Sequence, residues 1–81
     1  MAIKIISIEQ LKQECSDEDK DGFIMLNGGA RSSKTIEYNT NLKLFHILNH
    51  IDDTEQMLEE QELSTHSNIA EAIQKGAFYL D

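Results

Sequence analysis

Asp17, Asp19 and Asp21, followed by Gly22 and with Ile24 at the eighth position, open the way a calcium-binding loop opens. In such a loop alternate carboxylates wrap a hard cation and the glycine permits the sharp turn. The twelfth position should then supply a bidentate glutamate, but here it is Gly28, and the exiting helix is replaced by an apolar run and a glycine turn. The segment is therefore read as a solvated acidic loop in which Gly22 lets the chain turn into a strand, with no metal assigned to Asp17, Asp19 or Asp21. Further on, Gly28-Gly29-Ala30-Arg31-Ser32-Ser33-Lys34-Thr35 approximates a phosphate-binding loop, with Ser33 where a glycine should stand. A phosphate loop must lead into a helix whose N-terminus meets the anion, whereas Thr35-Ile36-Glu37-Tyr38 reads as a strand. What remains is a glycine-rich turn in which Gly28, Gly29, Arg31, Ser32, Ser33 and Lys34 are candidates for holding a small anion or a partner's carboxylate.

His46 and His50 are four residues apart, with Asp52, Asp53 and His66 as further potential zinc ligands. Two histidines at this spacing without cysteines more often sit on or near a surface. The one cysteine, Cys15, would need an activated thiolate to act as a nucleophile, and its position on the apolar face of a short helix reads instead as core filling. The last cluster is acidic: Asp52, Asp53, Glu55, Glu59, Glu60 and Glu62 place six carboxylates in eleven residues with no base among them. A run of this kind is ordinarily a solvated face; it also suits docking of a basic protein, because its field speeds encounter at low salt. No nucleophile, base and orienting group can be named together, so neither catalysis nor a cofactor is expected.

The elements that carry these residues follow from local pattern. Ala2–Ile6 reads as a strand, and Ser7 with Gln10 three residues later forms a capping box that starts a helix at Ile8. Ile8, Leu11 and Cys15 then share one helical face. Gly22–Asn27 and Lys34–Asn39 read as the two strands of a hairpin joined by the loop 28–33. Residues 42–51 suit a helix or a buried strand, and the turn signal Asn39-Thr40-Asn41 favours a strand continuing a meander. Thr54–Leu63 is expected to be exposed, as a short strand, a turn of helix or both in sequence. Near the end, Ser67 or Asn68 caps a helix with Ile69, Ala72 and Ile73 on one face and Gly76 past its end, after which Ala77-Phe78-Tyr79-Leu80 is apolar enough to fold back on the core.

Composition sets the frame for these elements. A chain of 81 residues has room for one domain (1–81) and buries only about 60–65% of its unfolded surface. Fifteen acidic against seven basic residues give a formal net charge of -8, which repels a phosphate backbone and argues against direct nucleic-acid binding. Residues 44–81 hold Lys75 alone against eight acids, so the negative field belongs to the C-terminal half. A lone cysteine cannot form an internal disulfide, which points to a reducing, cytoplasmic setting. The apolar run at the start is too short for a secretory leader, and no stretch approaches the roughly 20 residues of a membrane span.

The stretches LNGGARSSKTIEYN, IDDTEQMLEEQEL and SNIAEAIQKGAFYLD together resemble small proteins from phages and prophages of Gram-positive bacteria. The resemblance implies a compact α+β protein of the host cytoplasm, from a class of small acidic proteins that includes inhibitors of host defence such as anti-CRISPR proteins. It brings no catalytic or binding motif with it.

The expected architecture is α+β: a small antiparallel sheet of three to five strands with two short flanking helices. The expected function is stoichiometric binding of a protein with a basic surface through Asp52–Glu62, with inhibition of a host defence or nucleic-acid-handling protein as one form. Two alternatives stand beside it: a small-ligand or ion sensor built on Asp17–Asp21 or Gly28–Lys34, and a structural protein forming a homo-oligomer through a strand edge or Phe78-Tyr79-Leu80.

Overall fold

The structure, a computed structural model, describes residues 2–25 and 31–81. In chain order the elements are β1 (Ile3–Lys4), α1 (Ile8–Glu14), β2 (Lys20–Ile24), β3 (Lys34–Asn39), β4 (Leu44–Asn49), β5 (Thr54–Glu59), α2 (Glu60–His66), α3 (Asn68–Gln74) and β6 (Phe78–Leu80). The strands form one sheet in the order β1-β6-β2-β3-β4-β5, and every neighbouring pair is antiparallel. The α+β class holds, but among the described residues the sheet has six strands rather than three to five, and three helices rather than two accompany it. The additional elements arise at Thr54–Leu63, which is strand and then helix in sequence, and at the C-terminal tail. That tail does not merely fold back: β6 inserts between β1 and β2, pairing Tyr79 with both Lys4 and Phe23.

Local chemistry explains where the helices begin and end. Ser7 Oγ accepts from the Gln10 N–H at 3.1 Å, and the Gln10 side chain in turn accepts from the Ile6 N–H at 2.8 Å. Two donors at the helix start are thereby satisfied. The end of α1 is tied to β3 rather than left free: the Tyr38 N–H donates to the Cys15 carbonyl at 2.9 Å and the Asp17 N–H to the Tyr38 carbonyl at 2.8 Å. At α2 the cap is a glutamate pair, with Glu59 and Glu62 each accepting from the other's backbone N–H. Ser67 both ends α2 and caps α3, accepting from the Ile69 N–H at 3.0 Å. Gly76, with φ +70°, takes the left-handed conformation that stops α3.

Residues paired across antiparallel strands share a sheet face. Ile36, Tyr38, Phe45, Ile47, Phe78 and Leu80 face the three helices and form one core with Leu11, Leu63, Ile69 and Ile73. Gly22 lies on this inner face, inside β2 rather than at the turn into it. A Cβ there would stand 2.6 Å from Ile36 Cδ1 and 2.9 Å from Phe78 Cζ; close packing, not turning, accounts for the glycine. The outer face carries the rows Thr35–Leu48–Glu55 and Glu37–His46–Met57. At its other end Phe23 stacks on Tyr79 at 5.5 Å, and the Arg31 guanidinium sits 3.5 Å above the Phe23 ring. Among the described residues no helix is long and apolar enough to cross a membrane.

Candidate functional site

β5 is an edge strand, hydrogen-bonded to β4 on one side only, and five of its six residues are exposed. The six acidic residues follow this edge: Asp52 and Asp53 in the turn before β5, Glu55 and Glu59 within it, Glu60 and Glu62 in the first turn of α2. Among the described residues only one lysine and one histidine come within 4.0 Å of any of them as basic partners. His46 meets Glu55 at 2.6 Å, and Lys12, which also holds Glu9, meets Glu60 at 3.5 Å. Several of the acids have local structural duties. The Thr54 hydroxyl and N–H donate to Asp52 Oδ1 at 2.6 and 3.1 Å. Those bonds, helped by the charge of Lys34, hold the Asp52 carboxyl below the usual carboxylate range. Asp53 adopts φ +58°, a left-handed conformation that aspartate tolerates better than most residues. The edge is thus a fixed surface with a strong negative bias.

The glycine-rich turn is dispersed where the structure describes it. Gly28 and Gly29 lie outside the described residues. Arg31 turns to the outer face, over Phe23, and pairs with Asp81 at 3.3 Å. Ser32 Oγ accepts from the Ile24 N–H at 3.2 Å, which closes the hairpin. Lys34 pairs in register with Gly22 and Asn49, so it projects to the helix side, opposite to Arg31. The two bases of the loop therefore do not converge, because adjacent faces of a strand alternate and no turn intervenes to bring them together.

Asp17 is likewise drawn away from a calcium geometry. Its carboxylate accepts from the Thr40 N–H and hydroxyl at 2.9–3.1 Å, and Asp21 lies within β2. His46 pairs with Glu55, His50 Nε2 lies 2.5 Å from Thr35 Oγ1, and His66 stands at the end of α2. Among the described residues no group of three or more His, Cys, Asp or Glu side chains is placed to hold a metal ion. Cys15 is fully buried, its thiol donating to the Leu11 carbonyl at 2.9 Å, and burial pushes its pKa up to about 12. A thiol held in that state is a poor nucleophile at neutral pH.

One feature had no counterpart in the sequence pattern. Where α2 passes into α3 at Ser67, the elbow stands off the inner face of β4 and β5 and leaves a cleft of about 370 Å³. Lys34, Asn49 and Gln56 contribute from the sheet, and Glu62, His66 and Asn68 from the helices. Lys34, Asp52, Glu62 and His66 stand out in the sequence, but for other sites, and no pattern there brings them together.

No known protein family, curated protein or solved structure matches the chain.

Proposed function

We propose that the protein acts by stoichiometric binding of another protein, and that a basic surface of that partner docks along β5 and the first turn of α2. The observation that carries this reading is the clustering of six carboxylates along β5, the turn before it and the first turn of α2, with only Lys12 and His46 as basic partners within 4.0 Å among the described residues. The summed field of these carboxylates attracts a cationic partner and speeds its encounter. An unpaired strand edge also offers backbone donors and acceptors to an incoming segment. Its charge discriminates between occupants: a second copy of the same acidic edge is repelled, while a basic segment is attracted.

The resemblance to small phage and prophage proteins suggests the kind of partner, a host defence or nucleic-acid-handling protein in the cytoplasm. In such a complex the carboxylates of Asp52–Glu62 would occupy a groove that otherwise receives phosphates. The homo-oligomeric alternative loses one of its surfaces, since Phe78 and Leu80 are buried in β6 inside the sheet.

The test is affinity capture from a bacterial lysate at low salt and at about 0.15 M, where charges farther apart than roughly 8 Å are screened. A stoichiometric partner with a basic surface, retained at low salt and depleted at the higher, is the expected result. Partners that are equally retained at both, or that lack a basic surface, would contradict the electrostatic form of the proposal.

A further inference from the structure

The cleft under the α2–α3 elbow differs in chemistry from the acidic edge beside it. Its volume of about 370 Å³ lies at the small end of the range for small-molecule sites. The floor is apolar, from Ile47, Leu58 and Ile69. Polar groups of every kind line the walls: the Lys34 ammonium, the Asn49, Gln56 and Asn68 amides, and the Asp52 and Glu62 carboxylates. Polar residues outnumber apolar ones in this lining, so the cleft suits a small charged molecule rather than an apolar one.

Lys34 is the informative member. It is half-buried on the inner face of the sheet, and among the described residues no carboxylate lies within 4.0 Å of its ammonium. Asp52 lines the same cleft and is close enough for its charge to act on Lys34, yet the two do not form an ion pair. Asp52 is exposed and bonded to Thr54, so it is the half-desolvated Lys34 cation that lacks a partner. A simple anion at Lys34 would meet repulsion from Asp52 and Glu62, and a simple cation at the carboxylates would meet repulsion from Lys34. A molecule carrying both charges a few ångströms apart meets neither.

The geometry points to a small zwitterion of free amino-acid size as the ligand of this cleft, its carboxylate on Lys34 and its ammonium toward Asp52 and Glu62, with its side chain over Ile47, Leu58 and Ile69. The amides of Asn49, Gln56 and Asn68 supply the directional hydrogen bonds that distinguish such a ligand from bulk salt. Burial lowers the pKa of Lys34 and the charge of Asp52 offsets part of that effect, so a bound carboxylate restores to the lysine what burial takes away. The cleft shares Asp52 and Glu62 with the acidic edge, but Lys34 belongs to the cleft alone, so Lys34→Met tests this ligand site without touching the docking surface.

The experiment is a thermal-shift screen of the full chain against the twenty common L-amino acids, each at about 10 mM, followed by amide NMR titration of any hit. Acetate, methylammonium and inorganic phosphate serve as single-charge controls. At ten times its dissociation constant a ligand raises the melting temperature of a domain this size by roughly 6–11 °C. At least one amino acid is expected to do so and to shift the amide signals of Lys34, Asn49 and Asn68, while the three controls do not. Lys34→Met, which removes a partly desolvated charge and keeps the stem, is expected to retain the fold and weaken binding by about tenfold to a hundredfold. Asp52→Asn should weaken it in the same sense. No response to any amino acid, a response matched by acetate or phosphate alone, or a hit that Lys34→Met leaves unchanged would overturn the assignment.

Discussion

Strands β6 and β5 belong to one sheet and meet opposite conditions. β6 is three residues long, lies between two strands, and buries Phe78 and Leu80 to 0% and 1% exposure. β5 has six residues, pairs on one side only, and leaves even Met57 at 48% exposure. The shorter strand is held by apolar burial from both sides of its chain. The longer one is held by its ladder to β4 and by the Asp52–Thr54 and Glu59–Glu62 turns at its two ends. The molecule thus separates a small dense core from a charged edge whose side chains contribute little to stability, and the latter is where residues can be exchanged without unfolding the chain.

The largest expected effect tests that separation directly. Phe78→Ala should cost about 3–5 kcal/mol, a large share of the roughly 4–12 kcal/mol available to a chain of this length, seen as a collapse of the urea midpoint. Met57→Ala should stay within about 0.5 kcal/mol of wild type. Equal costs at the two positions would break the comparison. Next comes Gly22→Ala, which drives a methyl into Ile36 and Phe78 and should cost about 1–3 kcal/mol in the same assay.

A pH effect of intermediate size belongs to the core. Burial raises the Cys15 pKa from 9.0 to about 12; the folded state therefore holds its proton where the unfolded chain has released it. The resulting contribution is full below the unfolded pKa and is lost as the pH rises through that window. Wild type should lose stability more steeply than Cys15→Ala across alkaline urea titrations, and the thiol should resist alkylation until the chain unfolds. The smallest effect is at the edge: Glu59→Gln, Glu60→Gln and Glu62→Gln together should leave the unfolding free energy read from urea titration within about 0.5 kcal/mol of wild type. Glutamine keeps the capping acceptors, and the lost Lys12–Glu60 contact is a surface pair of small worth.

The same division governs what the residues reveal before any fold is known. Ser7 with Gln10, and Ser67 with Gly76, act within a few residues, so both helix boundaries are legible in the chain. The strand over Lys34–Asn39 is equally plain, because Ile36 and Tyr38 alternate with polar neighbours. β6 is not, since Phe78-Tyr79-Leu80 acquires its place only by pairing with strands from the far end of the chain. α2 is hidden for another reason: Leu63 is its one buried residue, which leaves no apolar period to read, and its cap is a glutamate rather than a serine or threonine. The acidic edge could be named from composition, whereas the Lys34 cleft depends on the α2–α3 elbow standing over β4 and β5, an arrangement no local pattern encodes.

The measurement that bears most directly on the docking account compares two charge-matched variants for binding to the captured partner. One carries Gln at Glu59, Glu60 and Glu62; the other carries Glu14→Gln, Glu18→Gln and Asp19→Asn, which change the net charge equally but lie away from β5. Titrations at low and physiological salt should show the edge variant weakened with a flattened salt dependence, while the second stays close to wild type. Equal weakening of both would reduce the effect to net charge, and unchanged binding by the edge variant would remove this surface from the account.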